Sequence, residues 1–205
     1  MVSAADALTR LREGNRRFAS GLESDDDRLA VRPSEVATGQ EPFAIVLGCS
    51  DSRVPAEIIF DQGLGDLFVI RVAGNIVAPS QIGSVEFAAT KFGTRLVVIL
   101  GHSQCGAIVE TLRQLQEPSE MRSQNLKSIV DFIRPSVSTV LAQESADDPG
   151  AVVEKAVRAN IRASAEHMRH GSQILEDLER DDGLMIVGAE YSLETGHVDF
   201  FDGVP

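Results

Sequence analysis

The chain lacks tryptophan, has a single tyrosine and contains two cysteines in 205 residues. Two cysteines are too few for a disulfide framework in a chain of this length, so we expect free thiols or metal ligands. No run of about eighteen apolar residues occurs, and we therefore expect no transmembrane helix. The N-terminus also lacks the apolar stretch of a secretory signal, which favours a cytoplasmic protein.

Basic side chains are scarce beside acidic ones: 19 against 31, for a net charge of −12. A surface this acidic repels phosphate groups, so we expect no nucleic-acid partner. The hydrophobic fraction of 43% is ordinary for a globular protein. Because aromatic residues are few, aliphatic side chains must fill the core. We predict one domain, residues 1–205.

Short apolar runs alternate with segments of helical periodicity along the chain. The runs that we predict as strands are residues 43–47, 66–72, 96–100, 184–189 and 198–201. Continuous apolar runs are typical of strands buried in a parallel sheet. The pattern predicts an α/β fold, with a central, mostly parallel sheet of about four to five strands flanked by helices.

Two segments outside the predicted strands also carry a structural signal. Ser3, followed three residues later by Asp6, predicts the start of a helix that forms an N-terminal arm. In residues 126–141, Pro135 interrupts a helical pattern, and we expect it to break or kink the helix.

Two short polar segments directly follow predicted strands and contain both cysteines. The first is Cys49-Ser50-Asp51-Ser52-Arg53, and the second is His102-Ser103-Gln104-Cys105-Gly106. Ligand-binding residues collect at the carboxyl ends of parallel strands, where these two segments would meet. Thiolate, imidazole and carboxylate are the donors that zinc prefers. The segments therefore predict a zinc site with four protein ligands, or with three and a water.

Arg53 lies two residues after Asp51 and can reach back to its carboxylate in a bidentate, charge-assisted contact. Beside a metal such a pair acts as a switch. Asp51 bound to Arg53 leaves zinc open to water, whereas Asp51 bound to zinc closes the site.

Other interpretations of these residues stay open at this point. Free cysteines are commonly small buried apolar residues, and a structural zinc site would use the same donors. His102 and Cys105 are also the residue types of a nucleophilic pair. That pair would leave Cys49 and Asp51 without a role, and the chain has none of the Cys-x-x-Cys motifs typical of structural zinc.

Both segments resemble the β-class carbonic anhydrases, in CSDSRV at residues 49–54 and GHSQCGA at residues 101–107. Residues 12–18, 55–77, 83–88 and 188–201 are similar to that family too. The resemblance implies reversible hydration of carbon dioxide to bicarbonate and a proton by zinc-bound hydroxide, with one zinc per subunit. It implies that Cys49, His102 and Cys105 are the three constant zinc ligands. It also implies that Asp51 and Arg53 form the catalytic pair.

The resemblance also implies residues that contact substrate. Gln40 matches a glutamine that hydrogen-bonds substrate in the plant-like subtype. Phe68 and Ala73 match positions that line the apolar carbon dioxide pocket, and we assign Gly106 to the same substrate site. A subtype regulated by bicarbonate has Trp three residues before the first cysteine, where this chain has Val46. We therefore favour the plant-like subtype.

Family members assemble into dimers or larger oligomers, so the resemblance implies a homodimer or homotetramer. It further implies that the N-terminal arm, residues 1–35, packs on a partner subunit. Two alternative functions remain. Hydrolases of carbonyl sulfide or carbon disulfide share the same ligands, and a zinc-binding assembly subunit without catalytic activity would keep the metal alone.

Overall fold

The computed structural model describes residues 2–21, 33–118, 123–143 and 148–205. Five strands form one sheet in the order β2-β1-β3-β4-β5. The first four strands are parallel, and β5 is antiparallel to β4. The strands are β1 Ala44–Gly48, β2 Leu67–Arg71, β3 Leu96–His102, β4 Met185–Tyr191 and β5 Val198–Asp202. This architecture confirms the predicted α/β fold.

The two central strands, β1 and β3, are buried along their whole length. Such burial explains why their sequences are continuous apolar runs rather than alternating ones. Their parallel register pairs Gly48 with Leu100. The carboxyl ends of both strands therefore lie at the same edge of the sheet, and the segments that follow them start side by side.

Helices cover both faces of the sheet. The described helices are α1 Ala4–Ala19, α2 Pro33–Val36, α3 Ala56–Ile59, α4 Pro79–Lys91, α5 Gly106–Gln116, α6 Gln124–Gln143, α7 Pro149–His170 and α8 Gln173–Asp181, with a 3-10 turn at Ala73–Asn75. Ile45 and Leu47 face a core shared with α4 to α8. Ala44 and Val46 face a second core, which α1 and α3 complete.

Helix α1 begins where the capping pattern predicts. The Ser3 hydroxyl oxygen accepts a hydrogen bond of 3.1 Å from the Asp6 amide, which satisfies one of the free donors of the first turn. The inner face of the helix packs on the sheet of its own chain, with Leu8 and Leu11 buried. Contact of the N-terminal arm with a partner stays a prediction, and residues 22–32 of that arm lie outside the described residues.

Of the two outcomes expected at Pro135, a break is wrong, because α6 runs through this residue from Gln124 to Gln143, and a kink stays a prediction. Proline removes one backbone donor from the helix. On both sides of it, however, Ile133 and Val137 are completely buried in the core. Their burial outweighs the lost hydrogen bond, and so tertiary packing overrides the local signal.

Within the described residues, no helix is long and apolar enough to cross a bilayer.

Substitutions at two helical glycines, Gly14 and Gly83, test how closely α1 packs against the backbone at Phe60. A Cβ atom added at Gly14 in α1 would overlap the backbone carbonyl of Phe60, whereas one at Gly83 in α4 would meet nothing within 4 Å. We expect Gly14→Ala to lower the free energy of unfolding by about 1–3 kcal/mol, the usual cost of overpacking. Gly83→Ala should raise it by about 1 kcal/mol.

Urea unfolding at one protein concentration measures both values. Equal effects of the two substitutions would contradict the close contact between α1 and Phe60.

Candidate metal and active site

Three potential metal ligands converge at the carboxyl edge of the sheet. Cys49 directly follows β1, His102 ends β3, and Cys105 precedes the first residue of α5. Their ligand atoms all lie within 4.8 Å of one another. The exposed fractions are 5% for Cys49, 0% for His102 and 1% for Cys105. The structure thus brings together the three residues that the two polar segments predicted as ligands.

The imidazole of His102 is oriented for metal binding. Its Nδ1 lies 2.8 Å from the Ser103 carbonyl oxygen, which can only accept, so Nδ1 carries the proton. Nε2 is therefore the unprotonated nitrogen of the neutral ring. This atom is buried and has no hydrogen-bond partner. A buried polar atom without a partner is costly, and coordination of a cation would satisfy it.

Each of the two thiols strongly changes the pKa of the other. A hydrogen bond with Cys105 is the main cause that lowers the pKa of Cys49 well below that of an ordinary thiol. The same hydrogen bond, together with burial, raises the pKa of Cys105. Burial acts to lower the pKa of His102, but the neighbouring Cys49 sulfur and its negative charge outweigh burial and raise that pKa. One buried thiolate therefore forms here readily, and a bound metal cation would stabilise a second.

Gly74 in the 3-10 turn supports the Cys49 sulfur. Its amide donates to Cys49 Sγ at 3.4 Å, and its carbonyl accepts from Asn160 Nδ2 at 2.9 Å. The residue has a φ of 71°, and an added Cβ would lie 2.7 Å from Ile133 Cδ1. Only glycine fits this combination of backbone angle and close packing. The ligand motifs gave no indication of this contact.

Asp51 and Arg53 form the predicted bidentate pair. Arg53 Nε lies 2.9 Å from Asp51 Oδ1, and Nη2 lies 2.8 Å from Oδ2. These hydrogen bonds hold the pKa of Asp51 well below its usual range, so the carboxylate is ionised at neutral pH. Asp51 Oδ2 is also 3.9 Å from His102 Nε2.

The position of Asp51 corresponds to the open arrangement of the predicted switch. Its carboxylate lies beside the candidate metal ligands but is bound to Arg53. The closed arrangement, in which Asp51 coordinates the metal, stays a prediction.

Arg71, at the carboxyl end of β2, anchors the segment between Cys49 and Asp51. Its Nε donates to the Cys49 carbonyl at 3.0 Å, and its Nη2 donates to the Asp51 carbonyl at 2.5 Å. The ligand motifs did not point to this residue. An arginine at the end of an otherwise apolar strand was the signal that could have identified it.

The predicted substrate residues are placed in different ways. Ala73 immediately precedes Gly74, and Gly106 immediately follows Cys105, so both adjoin the ligands. Phe68 lies earlier in β2 and packs against the core cluster that contains Cys49. Its ring centroid is 6.2 Å from that of Phe87.

Gln40 lies at the amino ends of the strands, opposite the carboxyl ends where the candidate ligands converge. It precedes the amino end of β1 and is exposed, in a cavity that Lys91 and Thr94 also line. Thr94 lies just before the amino end of β3. Because the candidate metal ligands lie at the carboxyl ends of these strands, Gln40 cannot reach them within one chain.

The fold and the site together define an α/β protein with a buried cysteine–histidine cluster, at the carboxyl edge of a parallel sheet, that could hold a metal ion. Comparison with known proteins identifies the family. The family model described as "Carbonic anhydrase" matches residues 44–198. The chain therefore belongs to the carbonic anhydrase family, and its solved structural neighbours belong to the β class of these enzymes.

The sequence of the chain aligns with those of named relatives over most of their length. The chain is 34% identical over 186 residues to carbonic anhydrase 2 of Mycobacterium tuberculosis, covering 91% of this chain and 87% of the relative. It is 35% identical over 195 residues to the carbonic anhydrase of Mycolicibacterium smegmatis, covering 92% and 89%.

Solved structures share the fold. The β-carbonic anhydrase CcaA has a TM-score of 0.71 at 28% identity, covering 97% of this chain and 92% of that chain. CafA of Aspergillus fumigatus has a TM-score of 0.75 at 23% identity, covering 98% and 91%, and at that identity the likeness concerns the fold alone. These comparisons confirm the family suggested by the two polar segments.

Proposed function

We propose that the protein is a zinc enzyme that reversibly hydrates carbon dioxide to bicarbonate and a proton. The observation that carries this proposal is the buried group of Cys49, His102 and Cys105, with an ionised Asp51 beside it. Two thiols and one imidazole are a donor set that suits zinc. Zinc usually takes four ligands, so three protein donors would leave room for a water or substrate.

Zinc, when bound, lowers the pKa of a coordinated water towards neutrality and supplies hydroxide as a nucleophile. Cys49, His102 and Cys105 would hold the zinc. Asp51, held ionised and in place by Arg53, would accept a hydrogen bond from a water at this site and orient it towards carbon dioxide. Because Asp51 is fixed by two contacts to Arg53, little reorganisation is needed when the reaction occurs.

Substrate would bind on the side of the ligands formed by Ala73 and Gly106. Both are small and would leave room for a linear molecule beside the three candidate ligands. Phe68 supplies apolar surface further along β2. Gln40 can hydrogen-bond substrate only from another subunit, because it lies at the far edge of the sheet within its own chain.

We also propose that the protein is a homodimer or homotetramer. Strand β2 is an edge of the sheet, and unpaired edge strands readily pair with another chain. Next to it, Phe87 is 52% exposed while packing against Phe68, which forms an apolar surface beside that edge. A structural neighbour from Sordaria macrospora, 23% identical, covering 82% of this chain and 84% of that chain at a TM-score of 0.74, is described as tetrameric.

For the assembly, we expect light scattering to give a mass of two or four chains. Phe87→Asp should shift the mass towards one chain, because it places a charge in an apolar contact. Phe132→Asp, on an exposed face of α6, is the matched control and should leave the mass unchanged. A single-chain mass for the unmodified protein would contradict the proposal.

For the metal, we expect about one zinc per chain by elemental analysis and carbon dioxide hydration in a stopped-flow assay. A strong chelator should remove both, and zinc should restore both. Cys105→Ser should lose zinc and activity together, because a hydroxyl is a much poorer zinc donor than a thiolate.

The same assay with carbonyl sulfide separates the alternatives. Hydrolysis of carbonyl sulfide without carbon dioxide hydration would show a different substrate. A zinc-loaded protein inactive on both substrates from neutral to alkaline pH would contradict an enzymatic role.

For the carboxylate, Asp51→Asn should retain zinc but lower kcat on the order of 100-fold, because the amide is a weaker acceptor and carries no charge. Asp131→Asn is the control, since Asp131 is an exposed carboxylate paired with Lys127 on α6. Metal analysis and stopped-flow rates measure both variants. Wild-type kcat in Asp51→Asn would show that this carboxylate does not orient the nucleophile.

A further inference from the structure

Ser103, which lies between two metal ligands, uses each of its polar groups in a contact. Its amide donates to the Tyr191 carbonyl at 2.9 Å, and its own carbonyl accepts from His102 Nδ1 at 2.8 Å. Its hydroxyl oxygen accepts from the Leu193 amide at 2.9 Å and donates to Glu194 Oε2 at 2.8 Å. The direction of the Ser103 carbonyl, and with it the orientation of the His102 ring, therefore depends on contacts with the segment after β4.

Glu194 lies in the turn between β4 and β5, and its carboxylate contacts both residues that separate His102 from Cys105. Oε2 accepts from Ser103 and from Ser192 Oγ at 3.2 Å, and Oε1 accepts from Gln104 Nε2 at 3.5 Å. Gln104 has a φ of 57°, a left-handed conformation that non-glycine residues seldom adopt. One carboxylate thus contacts both residues of this backbone segment, including the one in the left-handed conformation.

The hydrogen bond from Ser103 lowers the pKa of Glu194, so the carboxylate is ionised at neutral pH. Hydrogen bonds to an ionised acceptor are stronger than neutral ones. Glu194 is exposed, so water competes for the same oxygens and reduces the net contribution. The effect on the site should therefore be moderate.

We propose that Glu194 is a positioning residue that, through Ser103, fixes the orientation of His102 and the placement of Cys105 and thereby slows metal loss. The proposal rests on the proposed zinc site. Groups that orient metal ligands without touching the metal commonly change its affinity on the order of 10-fold to 100-fold when they are removed. The exposure of Glu194 places the expected effect near the lower end of that range.

The test measures zinc transfer from the loaded protein to an excess of a chromophoric chelator. We expect Glu194→Ala to release zinc about 10-fold faster than the unmodified protein. Glu194→Gln keeps an oxygen that can accept from Ser103, and it should recover most of the loss. Glu166→Ala removes another exposed carboxylate, near the carboxyl end of α7, and it should leave the rate unchanged.

Cobalt substitution provides a readout that general destabilisation would not produce. Because the visible spectrum of bound Co²⁺ depends on ligand geometry, Glu194→Ala should shift it while Glu166→Ala should not. If Glu194→Ala does not fold, Ser103→Ala removes the same contact and is measured in its place.

Wild-type release rates and an unchanged cobalt spectrum in the Glu194 and Ser103 variants would overturn the proposal. Equal acceleration in Glu166→Ala would overturn it as well. An unmodified protein that binds no zinc would instead contradict the proposed function, so the two failures are distinguishable.

Discussion

The site depends on one constraint, the parallel register of β1 and β3. Pairing of Gly48 with Leu100 brings the carboxyl ends of the two strands to the same edge of the sheet, so that Cys49, directly after β1, and His102, the last residue of β3, lie near each other. Side chains in a strand alternate between faces, so a shift of one residue would exchange the two cores. Ile45 and Leu47 would then face α1 instead of α4 to α8. The burial of both faces therefore fixes the same register that assembles the ligands.

A second requirement is electrostatic. Two thiols and an imidazole lie within 4.8 Å of one another in a buried position, where an unpaired thiolate is costly. The protein offsets this with hydrogen bonds to the site from its own backbone and side chains. Gly74 donates to the Cys49 sulfur, and Arg71 holds the backbone on either side of Ser50. These contacts pre-form a negatively charged cluster for a cation, while the Asp51–Arg53 pair remains at its opening.

The features of the fold and of the site that could be predicted are those that depend on residues close together in the sequence. Strand ends, the Ser3 cap and the Asp51–Arg53 pair all depend on residues at most a few positions apart. The supporting contacts join residues that are distant in the chain, such as Arg71 with Cys49 and Glu194 with Ser103. No periodicity or spacing encodes such a contact. Pro135 failed as a helix breaker for a related reason, because burial of its neighbours is a tertiary property.

By itself, the sequence determined which donors the protein offers and that each follows a strand. It also determined that Arg53 could pair with Asp51, since two residues separate them. Only the tertiary structure decided which strands are neighbours, and with them which segments meet. It brought Cys49 and His102 together at the carboxyl ends of their strands. It placed Gln40 at the amino end of β1, although Gln40 is only nine residues before Cys49 in the sequence. The physical reason is that a buried strand is several residues long, so its two ends face different surroundings even though they are close in sequence.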